Sequence, residues 1–510
     1  MLRLAAFVLA PLLIAGLAPA SGAQVREGPR LDAVDARARA ARLRETGDLG
    51  LPALPPVYAS SPVDDLRFVD RRPVGQARLP VGYAAGAVLV DAVVPKGPDG
   101  TGTDKVEFIQ YQLPDGYDPD GEPVPLLVAY HGYGASAQSV AAQSTLDEEC
   151  FARGWAYLSV TGLDDQLFGS PISQQHTEAA IRWMLDGFHV DPDRISMVGF
   201  SMGGGVALNF AARHRDPDGV MIAGLGLVAS VSDWTASWKL GTADTKQVLE
   251  SAFNFGAAPG EDPFAYRRSS GLHAVVGSYP PLPGEVDTRL SMASNLAGVA
   301  LHVTYDVSDT LPAVIPHNDA VLRLFDELGS AVDVAEQFGT VDPDSGFFAP
   351  HSWAVLDEVR LLEHLQPARA VRYPTTFDVQ LDAGGAVSYL DVTPHLSGAF
   401  SWLSVDLEAP AGPRLTGVVN VATVDLDAAA AGLQGASEFS SESADDRGHT
   451  LAVHGLSKAP SWVSHAKTGE LLPEHETDPL GDGVRVEVPA GRDLPWRTVS
   501  QRGWSAQLYT

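Results

Sequence analysis

Cysteine is almost missing from this chain: its 510 residues include one, Cys150. No internal disulfide can form, so core burial must hold the fold even in an oxidising compartment. In "LDEECFARG" that cysteine sits in a helix-like stretch and reads as a packing residue. Basic charge is also scarce. Lys and Arg number 35 against 64 Asp and Glu, a formal net charge of −29. A surface of that sign repels nucleic acid and anionic membranes, which excludes them as expected partners. Metal-ligating patterns are absent as well. There is no HExxH and no clustered Cys/His spacing, so neither a metal nor a cofactor is expected. Long apolar runs do not occur beyond the first residues, which leaves no membrane span in the mature chain.

What is present begins with an export signal. Arg3 supplies a positive start, "LAAFVLAPLLIAGLA" an apolar core and "APASGA" a cleavage site, so residues 1–23 read as a signal peptide. The expectation is a secreted or periplasmic protein. Residues 24–85 read as a surface helix, "LDAVDARARAARLRETGDLG", followed by a proline-rich extension. With 45% hydrophobic and 19% charged residues the remainder is an ordinary globular chain.

From about residue 86 to 370, apolar runs alternate with amphipathic stretches. "AVLVDAVVP", "VEFIQYQLP", "LLVAYHG", "WAYLSVTG", "DRISMVGF" and "GVALHVTYDVSD" read as strands. Between the second and third, "DGYDPDGE" mimics a calcium loop. Counting on from Asp118, though, the position that needs a bidentate Glu holds Ala129, so it is a turn. "SQQHTEAAIRWMLDGF" carries Ile181, Met184, Leu185 and Phe188 at helical spacing. Strand–helix alternation with continuous apolar strands implies a mostly parallel sheet with helices on both faces. The alternation lapses over about 234–298, an insertion or lid holding a candidate helix "TKQVLESAFNF". Residues 371–510 alternate apolar and polar between turn signals and predict a smaller antiparallel β-domain, with "SEFSSESADDRG" read as a mobile loop.

One short stretch carries the chemistry. In "ISMVGFSMGGGVAL" a serine, Ser201, stands between glycines just after an apolar run. A buried strand turning sharply into a helix would leave its hydroxyl projecting at the corner. A serine hydroxyl becomes a nucleophile only when a base takes its proton, and the base needs an orienting partner. At the carboxyl ends of later strands, "LHVTYDVSDTLP" offers Asp306 and Asp309, and "FFAPHSWAVLDEV" offers His351. Asp309 lies further out on the loop and is the preferred acid, with Asp306 as the turn anchor. Negative charge on a tetrahedral intermediate calls for aimed N–H groups. Met202 at the helix start and Tyr133 in "HGYG" are the candidates, His131 being structural. Trp353, Trp234 and Trp238 are candidates for a pocket lining or for the core.

By these residues the chain resembles the α/β-hydrolase superfamily, and within it bacterial esterases of the dienelactone-hydrolase and prolyl-oligopeptidase type. The likeness rests on "LPDGYDPDGEPVPLLVAYHGYG", "VDPDRISMVGFSMGGG", "DPFAYRRSS", and "DTLP" with "PHSW", in the family's order over roughly 86–370. "GFSMGGG" with "HGYGAS" is also similar to polyester-cleaving cutinase-like hydrolases, which typically carry a disulfide this chain cannot form. The resemblance implies a serine hydrolase that cleaves small-molecule or polymeric carboxylic esters through an acyl-enzyme, without a cofactor. Two other readings stand beside it: a prolyl-oligopeptidase-type peptidase, and a non-catalytic hydrolase fold whose β-domain binds polymer or carbohydrate.

Overall fold

The computed structural model describes residues 67–70, 83–90, 105–253, 258–273, 291–436, 438–457, 462–467, 475–477 and 483–499. The expected signal peptide and the helix and proline-rich linker that follow it lie outside these residues. So do parts of the 234–298 stretch. The described chain divides into two compact units. The second takes in residues from Val371 onward and also the loop Arg213–Met221.

The first unit is built on a nine-stranded sheet. In chain order its strands are β1 (Arg67–Asp70), β2 (Tyr83–Val90), β3 (Lys105–Gln112), β4 (Val124–Tyr130), β5 (Ala156–Val160), β6 (Val190–Phe200), β7 (Gly224–Val228), β8 (Ala300–Asp306) and β9 (Val332–Gln337). They lie side by side as β1-β2-β3-β5-β4-β6-β7-β8-β9. The β1–β2, β2–β3 and β3–β5 pairs are antiparallel. From β5 to β9 every pair is parallel. The sheet therefore starts before the alternation legible from residue 86, because β1 and the start of β2 fall in the stretch that reads as an extension.

Helices α1 (Ala137–Gln143), α2 (Leu146–Arg153), α3 (Pro171–Gly187), α4 (Met202–Arg213), α5 (Trp234–Leu240), α6 (Ala243–Ala252), α7 (Pro263–Ser269), α8 (Val314–Glu327) and α9 (Glu358–Leu365) connect or follow the strands. Side chains alternate across a strand. On one face Leu127, Ala129, Tyr157, Val198 and Val228 pack with Leu146 and Cys150 from α2 and Leu361, Leu362 and Leu365 from α9. On the other face Leu126, Val128 and Met197 are equally buried. A sheet covered on both faces needs continuous apolar strands, which is why "VPLLVAY" and "GLGLV" show no polar–apolar alternation. On α9 the buried stripe is Leu361, Leu362 and Leu365, while Val359 is exposed.

The second unit has two six-stranded sheets sharing a core of Val379, Leu403, Leu415, Val424, Leu451, Val486 and Trp496. Pairing is mostly antiparallel, with two parallel exceptions: Arg414–Val419 beside Glu438–Ser443, and Val421–Asp427 beside His449–His454. The polar run read as a mobile loop is corrected here. Glu438–Ser443 is a strand, with Phe439, Ser441 and Ser443 buried on one face. Ser441 bonds His449 at 2.7 Å. Serines that pair internally satisfy their hydroxyls and take strand positions that polarity alone argues against.

Candidate active site

Ser201 sits at the junction of β6 and α4 with φ of 54°, left-handed backbone in a residue other than glycine. Such a conformation costs about 1–3 kcal/mol and persists only where its surroundings hold it. Its N–H donates to Val228 O at 2.8 Å, and its carbonyl accepts from Val231 N–H at 3.0 Å and Gly204 N–H at 3.1 Å. The flanking glycines are required by close approach. A Cβ on Gly199 would lie 2.1 Å from Gly203 O, and one on Gly203 would lie 2.4 Å from Tyr130 O. Only bare backbone lets α4 start so close to the ends of β6 and β4.

Asp309 and His351 arrive from separate loops. Asp309 follows β8, where its Oδ1 accepts from Leu311 N–H at 2.8 Å. Its other oxygen, Oδ2, lies 2.7 Å from His351 Nδ1. His351 comes after β9, and its Nε2 lies 2.9 Å from Ser201 Oγ. The imidazole packs on Phe200 with ring centroids 4.8 Å apart. Carboxylate, imidazole and hydroxyl thus form one hydrogen-bonded line, and Asp309 is buried while His351 keeps some exposure to solvent. With Asp309 on Nδ1, the Nε2 lone pair faces the hydroxyl and can accept its proton.

Asp306 is drawn elsewhere. Its Oδ1 accepts from Ser308 N–H at 2.7 Å and Gly339 N–H at 3.2 Å. The Ser308 hydroxyl also donates to Oδ1, and Oδ2 accepts from Thr340 N–H at 2.6 Å. Burial pushes this carboxyl up, but the bonds from Ser308 and Thr340 outweigh it and bring its pKa down to about 2. Asp306 ties the loop after β8 to the loop after β9, and so sets the acid and the histidine at a common height.

Tyr133 and Met202 lie on the loop after β4 and at the first turn of α4. No acceptor among the described residues takes either backbone N–H. His131 is buried between Gly132 O at 2.7 Å and Thr161 O at 3.1 Å, and burial lowers its pKa. Its place is structural. The Tyr133 ring stacks on Phe168, 5.6 Å between centroids, and Phe168 meets Trp234 edge-on at 5.1 Å. Trp234 and Trp353 are both buried, Trp353 within the core beside Val198 and Val228.

A residue that sequence reading missed holds this loop from below. Glu107 on β3 is fully buried. Its carboxylate accepts three successive N–H groups, from Thr161 at 2.6 Å, Gly162 at 2.8 Å and Leu163 at 2.7 Å. His176 Nδ1 lies 3.2 Å away. The segment so held supports the Tyr133 loop through Thr161 O to His131 and through Asp165 O, which accepts Gly134 N–H at 3.2 Å. The available signal was a carboxylate sharing the inward register of Ile109 and Tyr111. A Gln at 107 would present an NH2 to at least one of these donors. Glu107→Gln is expected to cost about 2–4 kcal/mol by leaving buried donors unpaired. Urea unfolding measures it, and a loss below about 1 kcal/mol would show the loop holds itself.

Among the described residues no group of three or more His, Cys, Asp or Glu could hold a metal, and no helix is long and apolar enough to cross a membrane.

A parallel sheet that carries serine, acid and histidine on the loops after β6, β8 and β9 defines the α/β-hydrolase class, and the chain has that fold. Residues 170–263, which include Ser201, match the family model described as alpha/beta hydrolase fold. The chain is 31% identical over 108 residues to NocK of Nocardia uniformis subsp. tsuyamanensis, a protein named as an esterase. That match spans 19% of this chain and 31% of the relative, about a third of its length. Among solved structures, an S-formylglutathione hydrolase from Agrobacterium tumefaciens is 14% identical with a TM-score of 0.38, covering 59% of this chain and 99% of that one. Dipeptidyl peptidase 4 of Porphyromonas gingivalis is 17% identical with a TM-score of 0.35, covering 50% and 32%. Neither carries a reaction over to this chain.

Proposed function

We propose that this protein is an exported serine hydrolase that cleaves carboxylic esters. Ser201 Oγ attacks the ester carbonyl while His351 Nε2 takes its proton. Asp309 holds the imidazole in the tautomer that leaves Nε2 free and stabilises the imidazolium that forms. The N–H groups of Tyr133 and Met202 receive the charge that develops on the carbonyl oxygen, aided at Met202 by the helix dipole. His351 then gives its proton to the departing alcohol, and water releases the acyl group by the same steps in reverse.

The observation that carries this reading is the Asp309–His351–Ser201 line, 2.7 and 2.9 Å per link, ending on a serine with φ of 54°. A serine held in that conformation and aligned with a histidine is costly as mere packing. Export is inferred from Arg3 and the apolar run after it.

The test is a screen of the purified mature chain. Para-nitrophenyl esters of increasing acyl length are set against prolyl-peptide anilides and feruloyl esters. Ester turnover at least 100-fold above amide turnover is expected. A preference for the prolyl amide would turn the reading to a peptidase with the same three residues.

A further inference from the structure

Two further glycines follow the nucleophile, Gly204 and Gly205, and both face the turn after β7, residues 229–233. A Cβ on Gly204 would lie 2.7 Å from Ser230 Cβ, and one on Gly205 would lie 2.0 Å from Val231 O. The first turn of α4 is therefore seated directly on that turn. The same segment holds Ser201. Val228 O accepts Ser201 N–H at 2.8 Å, and Val231 N–H donates to Ser201 O at 3.0 Å. It carries strain of its own, since Ala229 has a φ of 44° beside the 54° of Ser201. Two left-handed residues in hydrogen-bonded turns persist only where their surroundings fix them.

The fixing groups come from α8. His317 Nδ1 accepts Ser232 N–H at 3.1 Å. Asn318 Nδ2 donates to Ser230 O at 3.1 Å and to Val314 O at 2.7 Å. The hydroxyls of Ser230 and Ser232 meet at 2.7 Å, and Ser232 O accepts Gly271 N–H at 3.0 Å. His317, Asn318, Ser230 and Ser232 are all fully buried. A backbone N–H only donates, so the His317 ring is neutral, with its lone pair on Nδ1 and its proton on Nε2. Burial keeps it neutral by pushing the imidazole down to about 4, against the opposing pull of the Asp233 carboxylate.

The same helix begins on the loop of the acid. Leu311, whose N–H bonds Asp309 Oδ1, accepts Val314 N–H at 3.1 Å through its carbonyl. One helix thus ties the loop of Asp309 to the turn beneath Ser201.

We propose that His317 is a positioning residue for catalysis: by accepting Ser232 N–H it fixes the turn after β7, and through it the Ser201 backbone and the start of α4 that presents Met202 N–H. The proposal rests on the serine-hydrolase reading and adds to it a residue that acts through the backbone of others. An apolar side chain of the same size would fill the space but leave Ser232 N–H buried without its acceptor. A peptide that turns to find another partner pulls on Val231 N–H, one residue away, and so on Ser201 O. A shift of about 1 Å at a reacting group costs about 100-fold in rate, so a small rotation is enough.

The experiment compares three variants of the mature chain by fluorophosphonate labelling of Ser201 and by turnover of para-nitrophenyl butyrate. His317→Asn is smaller than the imidazole but keeps an acceptor at the same bond distance from Cα as Nδ1. His317→Leu keeps the bulk without an acceptor. His317→Gln keeps the bulk and carries its acceptor one bond further out. The labelling rate constant and kcat are expected to fall about 10- to 100-fold in His317→Leu and His317→Gln, with KM within about twofold, and to stay within about threefold of wild type in His317→Asn. A packing role predicts the opposite order, with the small Asn slowest. That order overturns the proposal, as do labelling rates close to wild type in all three. If His317→Leu does not fold, His317→Gln against His317→Asn decides the same question. A wild type that labels but cleaves no ester defeats the ester reading and leaves the labelling rates to decide on His317. A wild type that neither labels nor cleaves defeats the nucleophile reading, and the proposal with it.

Discussion

Replacing Ser201 with alanine is expected to remove esterase turnover by about 10⁴–10⁶ in kcat while leaving the protein folded. The size follows from the arrangement. His351 Nε2 faces Ser201 Oγ at 2.9 Å, so the variant keeps the base, its acid and the oxyanion donors but has no atom to attack with. Rate remaining in the variant would come from water activated by the same imidazole. Stability should not fall. The alanine inherits the φ of 54° at similar cost, and the backbone bonds from Ser201 to Val228, Gly204 and Val231 involve no side-chain atom. A fluorophosphonate probe checks it: wild type labels, Ser201→Ala does not, and their melting temperatures agree. Labelling that survives in the variant would put the nucleophile on another residue.

Two aspartates three residues apart are expected to separate rate from stability. Asp309→Asn should lower kcat about 10⁴-fold, because an amide can donate to Nδ1 and stabilise the tautomer whose Nε2 carries the proton. Asp309 keeps its bond to Leu311 N–H through Oδ1, so melting should move little. Asp306→Asn should do the reverse. The substitution sets an NH2 either against Thr340 N–H or against the N–H groups of Ser308 and Gly339, costing about 2 kcal/mol with a smaller loss of rate.

The pH dependence has a definite sign. A carboxyl lowered from its ordinary 3.8 to about 2 on folding contributes stability above the unfolded value, and that contribution is lost as pH falls through about 2. The melting difference between wild type and Asp306→Asn should therefore be full at neutral pH and shrink from about pH 4 downward. A collapse of kcat confined to Asp306→Asn would exchange the two roles, and a melting difference unchanged near pH 2 would remove charge from the explanation.

Much of the first unit can be read along the chain because its strands are buried on both faces. Burial on both faces makes "VPLLVAY" and "GLGLV" continuously apolar, and a run of that kind between amphipathic helices is a local signal. The serine stood out for a partly local reason, since Gly199 answers to Gly203 O four residues on, while Gly203 answers to Tyr130 O on β4. Glu107 could not be found this way. One carboxylate in a strand looks like a solvated edge until the loop 161–163 closes over it from 54 to 56 residues further on. The strand Glu438–Ser443 misleads for a related reason: its serines are satisfied by partners such as His449, and polarity without those partners reads as a loop.

The sequence by itself determined the kind of sheet, the residue at its sharpest turn and the candidates for acid and base, since periodicity and the Gly199–Gly203 contact act over a few residues. Tertiary structure alone decided between Asp306 and Asp309. Asp306 ends β8 and Asp309 lies three residues beyond it, and loop position favours Asp309 without showing which carboxylate reaches the histidine. The register of β8 against β9 does: it brings Gly339 and Thr340 over Asp306 and leaves Asp309 the free oxygen that reaches His351, 42 residues away.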